Sequence, residues 1–258
     1  MDKPKVNFVK RSNQLDNVTI CIPVYERSEF LNLTLHNIKN QTYPHDKLTV
    51  LIDECKSNKP FIDNLQYVKD VLSPIQVIHT VYNSRSGIGE KRNRLVKNSK
   101  TKYIQFFDSD DVYMPNCIQY NYDLLQEKRV KCVGSDKMLF TYINDNYKMS
   151  GINCGDQIHL IHEATLFFDR KWFSTTNKFM RRNCGEGKRL FEGMTEKQVA
   201  ISDVRKVMIC LVHNSNTVPK ERFKDDMCSL ELSSDMKQFI DSVVKQRQPA
   251  VKGKTKTI

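Results

Sequence analysis

No apolar run in this 258-residue chain approaches the roughly 18 residues that a bilayer crossing needs. The densest, Val207-Met-Ile-Cys-Leu-Val212, has the length of a strand. The N-terminal Met-Asp-Lys-Pro-Lys-Val carries no apolar signal core, so the expectation is a soluble, cytoplasmic protein. A lumenal or cell-surface role would need a partner or a further leader. C-x-x-C pairs are also missing. The eight cysteines (21, 55, 117, 132, 154, 184, 210 and 228) are scattered, several of them in strand-like runs. That pattern predicts buried reduced thiols rather than a disulfide framework or a zinc site. Cys154 and His159 have no second pair at ligand spacing. There is no internal repeat and no linker.

What the chain has in excess is positive charge, +11 at neutral pH. Part of it is a basic tail over 247–258 with Lys245 just before it, and part runs from Arg170 to Arg189. Such a field favours anionic partners without saying which. The length accommodates one α/β domain over 17–246, preceded by a loose arm over 1–16.

The most informative stretch is Tyr103-Ile-Gln-Phe-Phe-Asp-Ser-Asp-Asp-Val112. An apolar run reads as a buried strand and ends abruptly in Asp108, Asp110 and Asp111. If the backbone stays extended there, Asp108 and Asp110 point to one side. Paired hard oxygen ligands of this kind suit Mg2+ or Mn2+, especially with a substrate phosphate in the shell. The plainer alternative is an acidic turn capping the next helix.

Three strand–helix units precede it. Val18-Thr-Ile-Cys-Ile-Pro23 is a strand, followed by a helix that Ser28 can cap, with Leu31, Leu35 and Ile38 at helical spacing. Lys47–Ile52 is a second strand ending at Asp53-Glu54, a helical segment lies near 60–72, and Ile75–Val81 is a third strand. A turn with Gly87 and Gly89 then opens a basic helix over Glu90–Asn98. That alternation predicts a mostly parallel, Rossmann-related sheet with crossover helices, whose ligands bind beyond the carboxyl ends of the strands. Downstream, Lys137–Ile143 and Ala164–Phe168 read as antiparallel hairpin partners, and Val207–His213 as another strand. An amphipathic helix over Asp225–Gln246 offers a face for a homodimer.

In order, Val18-Thr-Ile-Cys-Ile-Pro-Val-Tyr-Glu-Arg27, Gln41-Thr-Tyr-Pro44, Gly89-Glu-Lys-Arg-Asn93 and Phe107-Asp-Ser-Asp-Asp111 resemble the motifs of family 2 glycosyltransferases. The likeness is specific through chain order over residues 18 to about 120 and looser beyond, at His162–Phe168, Gly185-Glu-Gly187 and His213-Asn-Ser-Asn216. It implies a GT-A fold with a nucleotide-sugar-binding half over 17–120 and an acceptor half over 121–246. It also implies inverting transfer from a nucleotide-diphospho-sugar, UDP-linked first, to a glycan, protein or lipid hydroxyl. By the same likeness Pro23, Tyr25, Arg27, Asp53, Arg92 and Asp108 hold the nucleotide, and Asp108, Asp110 and His213 hold the metal. Glu186 is the implied general base, with Glu192 the competitor and Glu163 third. His162 and Trp172 are candidates for the sugar pocket. Two departures stand out: Asp53-Glu54 replaces a pair of aspartates, and Lys91 stands where the family usually has alanine.

Two other readings compete. Asp108-Ser-Asp110-Asp-Val112 also fits the D-x-D-x-V of haloacid-dehalogenase-like phosphatases, although that motif normally sits on the first strand. The charge and basic tail would fit a nucleic-acid-binding module, but no recognised DNA- or RNA-binding motif accompanies them.

Overall fold

The structure is a computed structural model and describes residues 15–216, 219–220, 223–224 and 231–244. The four strands expected in the first half are present as β1 (Val18–Val24), β2 (Leu48–Cys55), β3 (Gln76–Tyr82) and β4 (Tyr103–Phe106). They are linked by α1 (Leu31–Lys39), α2 (Leu65–Leu72) and α3 (Ile88–Asn98) and pair in parallel in the order β4-β1-β2-β3. β1 is buried at every position. A central parallel strand is covered on both faces, which explains why its sequence is apolar without alternation. α2 starts later than its apolar spacing suggests because the Asn64 side chain caps it, accepting from the Tyr67 N–H at 3.1 Å. α1 is entered through a 3-10 turn that contains Ser28 rather than through a Ser28 side-chain cap.

The second half contributes β5 (Val112–Tyr113), α4 (Cys117–Lys128), β6 (Cys132–Gly134), β7 (Lys137–Tyr142) and β8 (Lys148–Asn153). After these come β9 (Phe167–Asp169), α5 (Arg170–Ser174), β10 (Val199–Ile201), β11 (Met208–Val212) and α6 (Ser234–Val243). The main sheet has seven strands in the order β10-β6-β9-β4-β1-β2-β3, with β9 antiparallel to both β4 and β6. A second sheet, β5-β11-β7-β8, packs its apolar residues into the same core.

One pairing differs from the sequence reading. β7 turns back at once on β8, closed by the Tyr147 and Asp145 N–H groups on the Tyr142 carbonyl, both at 3.0 Å. Phe167–Asp169 goes instead to the main sheet, and Ala164–Thr165 lie in a 3-10 turn. Closing the short loop is favoured over the long one by its smaller entropy cost, whereas β8, Lys-Met-Ser-Gly-Ile-Asn, has little strand signature of its own.

Among the described residues the C-terminal helix begins at Ser234, with 231–233 non-helical. Of the predicted span, 225–230 and 245–246 lie outside the described residues, and Ser233 caps the helix by accepting from the Met236 N–H at 3.2 Å. Its apolar face packs on the chain itself: Ile240 and Val244 are buried and Phe239 stacks on His36 of α1 with ring centroids 3.7 Å apart. The face expected to serve a homodimer thus makes contacts within the chain, with Met236, Phe239 and Val243 partly buried. The basic tail and residues 1–14 of the arm lie outside the described residues. Asp16, assigned to the arm, is anchored, its carbonyl accepting from the Tyr43 hydroxyl at 2.6 Å. Among the described residues no helix is long and apolar enough to cross a membrane.

Candidate active site

The polar ends of β1, β3 and β4 open onto one cleft of about 920 Å3, closed on its other side by the second-half turn at 162–164, the loop around Glu186 and part of the second sheet. The acidic loop after β4 is held from below by α1. Thr34 donates to the Ser109 carbonyl (2.9 Å), and Asn37 donates to the Asp111 carbonyl (2.8 Å) while accepting from the Tyr113 N–H (3.2 Å). Gln41 donates to the Met114 carbonyl (3.0 Å) and accepts from the Ile118 N–H. These three buried polar residues recur at helical spacing beside the apolar face of α1. They satisfy a loop that has no sheet partner for most of its backbone. The Gln41 that opens Gln-Thr-Tyr-Pro is therefore a clamp on the turn between β5 and α4, just behind the acidic loop.

The predicted metal set is only partly assembled. Asp110 and His213 meet, His213 Nε2 standing 3.1 Å from Asp110 Oδ2, with Arg27 Nε 3.8 Å from the same oxygen. The Ser215 N–H donates to His213 Nδ1, and Nε2 faces both Asp110 Oδ2 and the Asn216 amide nitrogen, 2.9 Å away. Burial would raise the Asp110 carboxyl, but the His213 hydrogen bond and the Arg27 and Lys220 charges outweigh it and hold it below the ordinary range. Asp108 does not join them: both its oxygens accept from Arg92 Nη2, at 2.8 and 3.1 Å. Among the described residues no three His, Cys, Asp or Glu side chains converge as a metal cage. One carboxylate and one imidazole form a mixed oxygen–nitrogen donor pair, a donor chemistry compatible with a divalent ion such as Mn2+.

Arg92 lines the cleft, with its guanidinium engaged by two of the chain's own carboxylates. Its side chain is 2 % exposed and lies over the rings of Phe106 and Phe179, Nη2 on Asp108 and Nη1 on Glu186. Burial alone would lower its pKa, but Asp108 and Glu186 more than compensate, keeping it charged. Glu186 reaches Arg92 because its loop docks on the start of α3. The Gly89 N–H donates to the Arg182 carbonyl, the Ile88 N–H to Asn183 Oδ1, and the Met180 N–H to the Glu186 carbonyl. A Cβ on Gly89 would lie 1.9 Å from the Met180 carbonyl oxygen, so only glycine permits this approach.

Of the other sequence candidates, Pro23, Tyr25 and Arg27 line the cleft, the Arg85 guanidinium stacking 4.3 Å from the Tyr25 ring. Glu26 and Arg27 both have positive φ (61° and 71°), an uncommon run for non-glycine residues that turns the chain sharply at the mouth. Asp53 lies beside Pro23 in the sheet, but outside the cleft lining, and Arg94 grips both its oxygens at 2.8 Å. Glu54, the departure from paired aspartates, is buried framework, accepting from the Phe61 N–H and bonded to His79. Glu192 is an exposed surface residue beside Arg189 and does not line the cleft. His162 does line it, whereas Trp172 packs against Phe168. His159 lines a separate shallow hollow with Glu196.

Three charged groups in the cleft have no role assigned from the sequence. Lys91 is 3 % exposed, donates to the Val24 carbonyl and has its ammonium pKa pulled down by burial. Lys220 lies beside Cys210 and Asp111; burial would lower it, but those neighbours raise it. Asp111 is pushed up to about 7 by burial, with Asp110 and Asp108 adding to the effect against the pull of Lys220. The replacement of alanine by Lys91 is the only one of the three with a visible sequence signal.

Residues 19–187, well over half of the chain, match the pattern described as Glycosyl transferase family 2. The poly(ribitol-phosphate) beta-glucosyltransferase of Bacillus spizizenii (strain ATCC 23059 / NRRL B-14472 / W23) is 34 % identical over 94 residues, 36 % of this chain and 15 % of that protein. The putative teichuronic acid biosynthesis glycosyltransferase TuaG of Bacillus subtilis (strain 168) is 23 % identical over 111 residues, 43 % of this chain and 42 % of its own length. The chain thus spans less than half of these curated relatives. Among solved structures, S. aureus TarS 1-349 in complex with UDP superposes with TM-score 0.60 at 14 % identity, over 76 % of this chain and 60 % of that one. Mannosyltransferase PcManGT from Pyrobaculum calidifontis, in complex with GDP-Man and Mn2+, gives 0.58 at 16 % identity over 82 % and 59 %. A mostly parallel sheet with its polar edge opening on one cleft, joined to a smaller second sheet, is the GT-A fold of these structures, and the chain belongs to glycosyl transferase family 2.

Proposed function

We propose that this protein transfers a sugar from a nucleotide-diphospho-sugar, UDP-linked first, to an acceptor hydroxyl with inversion at the anomeric carbon. The observation that carries the reading is Asp110, just past the end of a parallel strand and lining a cleft of about 920 Å3, with the buried His213 ring 3.1 Å behind it. That volume suits a nucleotide sugar, and TarS and PcManGT, which share the fold, are solved with UDP and with GDP-Man and Mn2+ respectively.

Leaving-group charge has to be neutralised as the glycosidic bond to the diphosphate breaks. Arg27, Arg85 and Lys91 line the cleft and supply fixed positive charge. Asp110 and His213 would hold Mn2+, which supplies Lewis-acid stabilisation of that diphosphate when bound. Pro23–Tyr25 offer backbone and ring surface for the base, with the Asp53–Arg94 pair behind them. Arg92 keeps Asp108 and Glu186 in fixed positions. Two carboxylates on the second-half wall, Glu163 and Glu186, stand where a group could take the acceptor proton.

The test is a panel of UDP-glucose, UDP-N-acetylglucosamine and GDP-mannose with Mn2+, followed by release of the nucleoside diphosphate. Turnover of a UDP-sugar above that of GDP-mannose supports the reading. A phosphatase would instead release inorganic phosphate from phosphomonoesters and leave the panel intact.

A further inference from the structure

We infer that Glu163, not Glu186, is the catalytic base of this transfer, an inference that rests on the reading above. A base must offer the acceptor hydroxyl a carboxylate oxygen whose charge is not already claimed. Glu186 has its Oε1 on the buried guanidinium of Arg92 and a side chain only 5 % exposed. Protonating it would leave the buried Arg92 hydrogen-bonded to Asp108 alone, which is unfavourable.

Glu163 is placed differently. It is half-buried, lines the cleft, and among the described residues its carboxylate accepts one hydrogen bond, from the Gly187 N–H to Oε1 at 2.7 Å. A neutral backbone donor orients a carboxylate without neutralising it. Its turn is fixed to the acidic strand end: the Asp108 N–H donates to the Tyr113 hydroxyl (2.8 Å), which donates to the Ala164 carbonyl (3.1 Å), and the Phe106 N–H donates to the Leu166 carbonyl (3.2 Å). The carboxylate is therefore held in register with the residues that face the donor. Gly187 completes the arrangement: a Cβ there would lie 2.6 Å from Glu163 Oε1 and 2.7 Å from its Cγ. The missing side chain at 187 is the space Glu163 occupies.

In the step, the acceptor oxygen bonds to the anomeric carbon as its proton passes to Glu163. The carbon–oxygen bond to the diphosphate breaks, and its electron pair leaves with the diphosphate. With no acceptor present, the same carboxylate would activate water.

The experiment measures UDP binding by calorimetry with Mn2+ and acceptor-free hydrolysis of UDP-N-acetylglucosamine and UDP-glucose across pH. Glu163→Gln should lower kcat by roughly 10²–10⁴-fold with little change in UDP affinity and should remove the acid limb of the kcat–pH profile. Glu163→Asp should restore part of the rate and the limb. Gly187→Ala, which displaces Glu163 without altering any titratable group, should fall in rate and keep its UDP affinity. Thermal unfolding checks that each variant is folded. Near-normal turnover by Glu163→Gln, with Glu186→Gln inactive but still binding UDP, would overturn the inference and leave the glycosyltransferase reading standing. A wild type that binds UDP but hydrolyses neither donor would also overturn it. A wild type that binds no UDP would refute the reading on which it rests.

Discussion

Replacing Arg92 with methionine isolates the group that ties the two halves of the cleft together. The substitution keeps an unbranched side chain for the contacts with Phe106 and Phe179 but removes the charge between Asp108 and Glu186. Taking one partner from a buried ion pair costs about 3–5 kcal/mol, because the remaining charge is left buried and unpaired. Asp108 keeps 22 % of its side chain exposed, so water screens part of its loss and the lower end of that range applies. For a domain of this size that is a fall in Tm of roughly 6–12 °C. The pH dependence gives the sign. Burial already raises the Glu186 carboxyl against the pull of Arg92, and without Arg92 it rises further above the unfolded value of about 4.3. Stability from a raised carboxyl is present below the unfolded pKa and is lost as pH rises through the folded one. The deficit of Arg92→Met should therefore be small near about pH 4.5 and grow toward neutrality. Differential scanning calorimetry of both proteins from acid to neutral pH measures it. A variant that melts with the wild type at neutral pH, or whose deficit widens in acid, would refute the two-sided clasp.

Asn37→Leu should cost about 2–4 kcal/mol, since it strands the Asp111 carbonyl and the Tyr113 N–H in the core, and denaturant titration measures it. The same change should weaken UDP binding by loosening the loop that carries Asp110. Asp53→Ala releases Arg94, which lies 3.9 Å over the Tyr82 ring, and should weaken UDP more than pyrophosphate. Equal losses for the two ligands would place Asp53 in the framework rather than at the base.

The parallel half was legible because each strand is a contiguous apolar run and each crossover helix has its own spacing or cap. The placement of Asp108, Asp110 and the Pro23–Arg27 segment on one sheet edge follows from that alternation alone. What the sequence conceals is non-local. Nothing in Phe167–Asp169 says that it runs antiparallel between β4 and β6, because three residues carry no period. Arg92 read as a phosphate contact because spacing along α3 cannot show that a loop ninety residues away brings Glu186 onto it. Asp108 and Asp110 looked equivalent two residues apart, yet Arg92 captures one and His213 the other. Glu163 and Gly187 acquire meaning only when the fold sets one in the space left by the other.

The most direct test of the central claim is calorimetric titration of UDP into wild type and Asp110→Asn, each with and without Mn2+. The wild type should bind UDP more tightly with Mn2+. Asp110→Asn should lose that enhancement and some stability while remaining folded, since the Asp111 and Asn37 contacts that hold the loop remain. Equal UDP affinity in both proteins with Mn2+ present would contradict the assignment of the Asp110–His213 end of the cleft to a metal-bound nucleotide diphosphate.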